Sequence, residues 1–344
     1  MTQRRAPRVR GLARPRTVRI TGWIGAVVLV LMVAGCLLTL PWTLGRVDRP
    51  DSAEALRGTA PRRFAATDLD RALLPPFWAH HAPDERARVA LLIQRDERPP
   101  RLIFGSDRLG RDMFIRILAG GGISLGIGLS AALVAVFIGT GYGTVAGYLG
   151  GRVDAGLMRV VDILYGLPNI LLVVLLAVAV DGMLERGDID LSPGARQVVN
   201  VVTLLVAIGG VTWLTMARVI RGQVLSLKQQ PFMEACRATG VPLRLQFARH
   251  LLPNLLGPII VYATLTVPTA ILSESFLSFL GIGVKEPLPS WGNLAASGLN
   301  ELNMVRSRWW LLLWPCLFIA LGLLALNFVG EWLREALDPR RRTM

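Results

Sequence analysis

The chain has 344 residues, of which 52% are hydrophobic and 18% are charged, and its mean hydropathy is +0.48. This composition excludes an ordinary soluble enzyme and indicates a protein that crosses a membrane several times. The net charge of +14 does not predict nucleic-acid binding. The arginines gather in the N-terminal tail and the loops, as orientation in a bilayer requires, and no basic face with interleaved aromatic residues is seen.

The chain begins with a basic tail, residues 1–19, that contains no acidic residue. Residues 20–42 then carry no charge, and about twenty apolar residues suffice to cross roughly 30 Å of hydrocarbon. The positive tail predicts a cytoplasmic N-terminus and a first helix that leads outward. Residues 43–115 form a long polar loop, which we place outside because long loops are translocated largely regardless of their charge.

Five further apolar runs follow, interrupted by short polar stretches. The predicted transmembrane helices lie at about 20–42, 123–148, 164–180, 198–216, 255–279 and 309–329. The basic loop 218–254 and the tail 335–344 are then both cytoplasmic. The sequence therefore predicts an all-α integral membrane protein with six transmembrane helices, both termini inside and a core over residues 116–334.

A stripe of glycines marks the second predicted helix. Gly139, Gly143, Gly147 and Gly151 recur every four residues, which places them on one helix face. In lipid, small residues at this spacing allow another helix to approach closely. We interpret the stripe as a helix-packing surface.

The polar segment between the fourth and fifth helices has the sequence pattern of two short helices separated by a break. Pro231 is suited to start a helix, Gly240 to end it and Pro242 to start the next. Such an amphipathic pair with no chemistry of its own predicts a docking element for another subunit. Glu234 and Arg237, one turn apart, are expected to pair either with each other or with that partner.

Glu274 is the one acidic residue clearly inside a predicted span. A charge there costs about 2.5–3.5 kcal/mol on insertion scales, so it needs a partner or a wet cavity. Glu274, Ser275 and Ser278 therefore either line a translocation path or form a structural hydrogen-bonded cluster. The sequence leaves both interpretations open.

The sequence lacks the motifs expected of a nucleotide-binding or metal-binding protein. The only lysines are Lys228 and Lys285, and neither follows the glycine-rich pattern of a phosphate-binding loop. The three cysteines and three histidines show no metal-ligand spacing. We expect no catalytic site, no metal and no cofactor in this chain.

The polar segment resembles the cytoplasmic Glu-Ala-Ala loop of ABC importer permeases, in the order Glu234, Ala235, Cys236, Gly240 and Pro253. The surrounding residues are similar to the C-type permease subunit of the dipeptide/oligopeptide branch. Three further stretches agree with that branch, in the family's order: Gly105–Asp112, Gly147–Asp162 and Glu274–Gly292. Three positions depart from it: Cys236 replaces an alanine, Ser106 stands where threonine is usual, and Gly122 stands where the family often has arginine.

This resemblance implies a type I importer permease in the bacterial inner membrane. Its implied partners are membrane lipid, a second related permease, two ATP-binding subunits that hold ATP and magnesium, and an extracytoplasmic substrate-binding protein. The implied cargo is di- or oligopeptides, nickel or another small solute. The docking residues carried over are Phe232, Glu234, Ala235, Cys236, Arg237, Gly240, His250 and Pro253.

The rival interpretation is a stand-alone channel or secondary transporter. That class predicts ionisable residues within the membrane and symmetry between the two halves of the chain. Glu274 apart, such residues are scarce, and no internal repeat is evident.

Overall fold

The computed structural model describes residues 16–47, 60–94, 101–186, 192–302 and 307–337. Within these ranges the chain is helical, with isolated β-bridges but no strand. Most of both predicted tails, 1–19 and 335–344, lies outside the described residues. The helices are α1 (Arg16–Thr43), α2 (Pro83–Gln94), α3 (Met113–Leu149), α4 (Gly151–Tyr165), α5 (Asn169–Arg186), α6 (Pro193–Lys228), α7 (Pro231–Ala238), α8 (Leu243–Leu245), α9 (Leu252–Phe279), α10 (Trp291–Asn300) and α11 (Trp310–Leu337).

Five helical stretches among the described residues are long and apolar enough to cross a membrane. They correspond to α1, α3, α6, the stretch from α8 to α9, and α11. A sixth span exists if α4 and α5, which meet at an 86° bend, count as one. The third span was expected at about residues 164–180; in the structure residues 151–165 form the separate helix α4, and α5 begins at Asn169.

The bundle has two ends. We call the end that carries residues 229–254 the inner end and the end that carries residues 60–112 and 280–302 the outer end, following the charge distribution of the sequence. Several helices extend beyond the predicted spans. α3 begins ten residues before the predicted start, since Asp112 caps it by accepting a 2.8 Å hydrogen bond from the Phe114 backbone N–H.

Helix α3 packs along α6, and the glycine stripe lies at this contact. A Cβ atom on Gly139 would lie 2.5 Å from the Met216 Cβ, and one on Gly147 would lie 2.9 Å from the Arg221 carbonyl oxygen. A Cβ on Gly143 would overlap the carbonyl oxygen of Ala217. Gly151 does not belong to this contact, because α3 ends at Leu149 and a Cβ on Gly151 would meet open space.

The outer segment from residue 281 contains a helix that the sequence did not indicate. In α10, Ser290 and Asn293 form a capping box, and the fully buried Trp291 donates its indole N–H to the Ile117 carbonyl of α3 at 3.1 Å. Gly292 lets α10 lie against α9, since a Cβ there would overlap the Ser275 carbonyl. The Pro-Ser-Trp-Gly motif therefore inserts a short helix into the outer end of the bundle.

Candidate functional site: the inner helix pair and the polar groups of the bundle

Helix α7 is formed by local sequence signals at both of its ends. Pro231 occupies its first turn, where a missing N–H costs nothing. At its C-terminus Gly240 adopts φ +69°, a left-handed conformation that favours glycine. The Val241 N–H bonds the Cys236 carbonyl at 3.0 Å and the Gly240 N–H bonds the Arg237 carbonyl at 3.1 Å. These two hydrogen bonds form a Schellman motif, so the helix ends where the sequence predicted.

One side chain holds α7 against the bundle. Met233 is fully buried in a cluster that includes Ile220 of α6 and Leu255 of α9. The sequence placed Phe232 and Cys236 of this helix among the docking residues, and Met233 was missed. Phe232 is 38% exposed and its ring lies 6.4 Å from that of His250.

The docking residues predicted from the sequence lie along this helix pair. Six are exposed and two are half-buried. The exposed residues are Phe232, Glu234, Ala235, Arg237, Gly240 and Pro253, and the half-buried ones are Cys236 and His250. We call these eight residues the docking surface.

The expected pairing between Glu234 and Arg237 does not form within the subunit. Arg237 donates to the backbone carbonyl of Lys228, and no described residue makes an ion pair with Glu234. Lys228 in turn donates to the Tyr148 carbonyl at 2.6 Å. The carboxylate of Glu234 is therefore open to a partner, while Arg237 fixes α7 to the end of α6.

A buried amide joins the helix pair to α3. Gln246 is 5% exposed; its Nε2 donates to the Val241 carbonyl at 2.6 Å, and its Oε1 accepts from the Tyr148 hydroxyl at 2.8 Å. Gln246 begins a π-helical turn, Gln246–Leu251, that leads into α9. Turns of this kind are frequent at functional sites. No sequence signal pointed to Gln246, because its partner lies 98 positions away.

Two ion pairs hold α4 against α6 near the same end. Arg221 makes a bidentate contact with Asp154 at 2.5 and 2.6 Å. Arg218 bonds Asp162 at 2.8 Å and stacks over the Tyr165 ring at 3.9 Å. Asp154 and Asp162, which belong to the stretch Gly147–Asp162 noted in the sequence, thus hold α4 in position through these ion pairs.

Glu274 lies in a sealed polar cluster. It is fully buried and accepts hydrogen bonds from Ser278 Oγ at 2.7 Å and Ser275 Oγ at 3.4 Å. Ser124 of α3 and Ser290 at the start of α10 lie near this carboxyl group. Because the carboxyl group lies beside α3 and α10 and has no exposed surface, this arrangement favours the structural interpretation over a path-lining role.

A cavity of about 340 Å³ lies elsewhere, between α5, α6 and α9. Apolar side chains form much of its lining, and the polar ones are uncharged: Asn169, Thr212, Thr215, Tyr262, Thr266, Thr269 and Ser273. The sequence analysis missed these residues, because hydroxyl groups inside a helix commonly bond their own backbone and give no distinct pattern.

A charged network closes the outer end. Arg111 and Arg116, 7% and 1% exposed, both contact Asp107, and each donates to Glu286 Oε1 at 3.1 Å. Partial burial acts to raise the pKa of Glu286, but the positive charges of Arg116 and Arg111 outweigh it and hold that pKa below its usual value. This network fastens the stretch Gly105–Asp112 to the loop before α10.

Together the fold and these sites define a polytopic helical membrane protein with an exposed short helix pair at one end and an uncharged cavity among its helices. A family profile described as the inner membrane component of binding-protein-dependent transport systems matches residues 139–343. The chain belongs to this family, and it is a transport component of the inner membrane rather than an enzyme.

The curated relatives agree with this assignment. An oligopeptide transport system permease protein, OppC, of Haemophilus influenzae is 43% identical over 70% of this chain and 70% of its own length. A dipeptide transport system permease protein, DppC, of Bacillus subtilis is 44% identical over 70% of this chain and 69% of its own. A di/tripeptide permease protein of Pseudomonas aeruginosa is 32% identical over 93% of this chain.

Among solved structures, a chain of the MetNI methionine ABC transporter in an inward-facing conformation matches 66% of this chain and 98% of its own length. The TM-score is 0.48 and the sequence identity is 16%.

Proposed function

We propose that this chain is the permease subunit of an ATP-driven importer of di- and oligopeptides and forms half of the translocation pathway. The observation that carries this proposal is its 43–44% identity to peptide permeases over 70% of the chain. The exposed docking surface supports it, because a subunit without its own phosphate-binding loop has to receive force from an ATPase.

The proposed assembly has five components. A second, related permease completes the pathway, and an extracytoplasmic binding protein delivers the peptide. Two cytoplasmic ATP-binding subunits bind ATP and magnesium. Helix α7 inserts into a groove on one of them, with Phe232 and Glu234 facing the groove. Closure of the ATPases then moves α7 together with the helices to which it is fastened.

The contacts around α7 support this coupling route. Met233 transmits displacement to α6 and α9, and Gln246 transmits it to α3 through Tyr148. The cavity lies between α5 and two of these helices, α6 and α9. Its uncharged hydroxyl lining suits a peptide backbone, which presents donors and acceptors in equal number.

Reconstitution into proteoliposomes tests the proposal. The chain is combined with its permease partner, the ATP-binding subunits and a peptide-binding protein, and uptake of a labelled dipeptide and a labelled pentapeptide is measured. We expect uptake that requires both ATP and the binding protein. Uptake by this chain alone, without ATP, would instead support the stand-alone channel or secondary transporter.

A further inference from the structure

The outer loop carries an aromatic group that reaches the first turn of a spanning helix. The Trp78 ring lies 5.9 Å from the Trp309 ring and 6.3 Å from the Trp314 ring. Its indole N–H donates to the Ile103 carbonyl at 2.9 Å. Trp314 stacks on Phe104 with 4.0 Å between ring centroids. These contacts fix the position of Trp78 relative to α11.

Trp78 lies beside the outer end of α11, whose apolar stretch is long enough to cross a membrane. At 1.5 Å per residue, Trp314 lies about 6 Å along the helix axis from the first residue of α11, Trp310. A ring close to both Trp309 and Trp314 therefore lies level with the beginning of this apolar stretch. Tryptophan is enriched where spanning helices meet the boundary of the hydrocarbon, since its apolar ring and its N–H are both accommodated there.

Apolar side chains at this depth remain uncovered by the described part of the chain. Trp78 is 53% exposed, Phe77 is 58% exposed and Ile103 is 41% exposed. The three are adjacent, since the Phe77 N–H bonds the Leu102 carbonyl and the Trp78 indole bonds the Ile103 carbonyl. We call Phe77, Trp78 and Ile103 the interfacial patch.

We propose that the interfacial patch inserts into the outer leaflet of the bilayer, at the boundary between head groups and acyl chains, and so anchors the loop of residues 60–102 to the membrane surface. The patch continues the apolar surface of α11, where Leu313 and Leu317 on either side of Trp314 are 47% and 38% exposed. A soluble extracytoplasmic protein would have to enter the membrane to cover Trp78. Lipid is therefore the occupant that the position of Trp78 favours.

The loop itself is rigid enough to hold the patch in place. Leu92 of α2 packs with Leu74 and Leu102 in a small buried cluster. Arg88 of α2 donates to the Ala72 carbonyl at 2.8 Å. Insertion of the patch therefore fixes the described parts of the loop, residues 60–94 and 101–102, relative to the bilayer, next to the charged network at the outer end.

Lipid quenching tests the proposal. The full-length chain, assembled with its permease and ATPase partners in nanodiscs, carries Cys36, Cys236 and Cys316 replaced by alanine and a single bimane-labelled cysteine. Phe77→Cys is the test position and Ile103→Cys is a second one. Arg108→Cys is the matched control, because Arg108 is 61% exposed at the same end but pairs with Glu301 in the charged region.

We expect bimane at residue 77 or 103 to emit at shorter wavelength and to lose intensity when the lipids carry brominated acyl chains, while bimane at residue 108 is quenched by aqueous iodide instead. Quenching of both test positions by iodide and not by brominated lipid would overturn the proposal. Protection of both positions from either quencher would show that a partner subunit covers the patch, which would also overturn it.

Discussion

The Tyr148 hydroxyl donates a 2.8 Å hydrogen bond to the side-chain amide oxygen of Gln246, and this bond ties the inner end of α3 to the turn that follows Gly240. The Nε2 atom of the same side-chain amide donates to the Val241 carbonyl. A displacement of α7 is therefore carried to α3 as long as both bonds persist. Since α3 also packs along α6, one amide connects the docking surface to the main helix pair of the bundle.

We expect Tyr148→Phe to weaken coupling, so that more ATP is hydrolysed for each peptide imported. Loss of one buried hydrogen bond should also lower stability by about 1 kcal/mol. Tyr142→Phe is the matched control, because the Tyr142 hydroxyl makes a bond of the same length to the Leu157 carbonyl of α4. It should reduce the melting temperature similarly but leave the ratio of ATP to peptide unchanged. Equal ratios for the two variants would contradict the coupling route.

Substitutions at Gly240 can distinguish the effect of backbone strain from the effect of a contact with the partner subunit. Its φ of +69° penalises most side chains by about 1–2 kcal/mol, but asparagine tolerates this conformation better. A Cβ atom there meets nothing within 4 Å in the subunit. We expect Gly240→Asn to assemble in the membrane at a nearly unchanged level and yet to lose most uptake, because the partner ATPase packs where the side chain projects. Normal uptake by Gly240→Asn alongside loss in Gly240→Val would show that the glycine serves only the turn.

The contact between α3 and α6 gives a prediction for stability. Gly143→Ala should lower the free energy of unfolding by about 1–3 kcal/mol, since the added methyl group overlaps the Ala217 backbone. Gly141→Ala provides the control on the same helix, because a Cβ there has no neighbour within 4 Å. Thermal unfolding in detergent measures both. A melting temperature for Gly143→Ala as high as that of Gly141→Ala would argue against this helix contact.

The sealed position of Glu274 predicts a structural role. Glu274→Gln keeps a side chain of the same shape that can still accept hydrogen bonds, so uptake and the preference among peptides should be retained. Glu274→Ala leaves the Ser275 and Ser278 hydroxyls without their acceptor and should lower the melting temperature markedly. Thr266→Val in the cavity should instead alter peptide preference at unchanged stability. A changed preference in Glu274→Gln would restore its path-lining interpretation.

The outer charged network predicts a dependence on pH. The depressed pKa of Glu286 means that its pairing with Arg111 and Arg116 contributes stability above the unfolded pKa of about 4.3. That contribution is lost as the pH falls through the lower folded value. The difference in melting temperature between the wild type and Glu286→Gln should therefore be largest near neutral pH and shrink in acid. A difference that stays constant with pH would rule out the ionised pairing.

The sequence by itself determined the class of fold, the positions of most spanning helices and the ends of α7. These features depend on local patterns, namely long apolar runs, a proline in the first turn and a glycine at the end of a helix. The exposure of most of the candidate docking residues could be predicted for the same reason, since they lie in one short polar segment, and their role in docking stays a prediction. The first span and the long loop that follows it were predicted from charge and hydropathy alone.

Only the tertiary structure decided which residues meet across the bundle. Met233, Gln246 and the hydroxyl groups of the cavity carried no local signal, and their roles depend on partners that are distant in sequence. The same holds for Gly151, which shares the spacing of the stripe but follows the break at Leu149. Likewise, only the tertiary structure shows that Glu274 is fully buried, which favours a structural role over a role in lining the translocation path. Hydrophobic periodicity sets which face of a helix is apolar, whereas the choice of neighbour depends on packing between segments far apart in the chain.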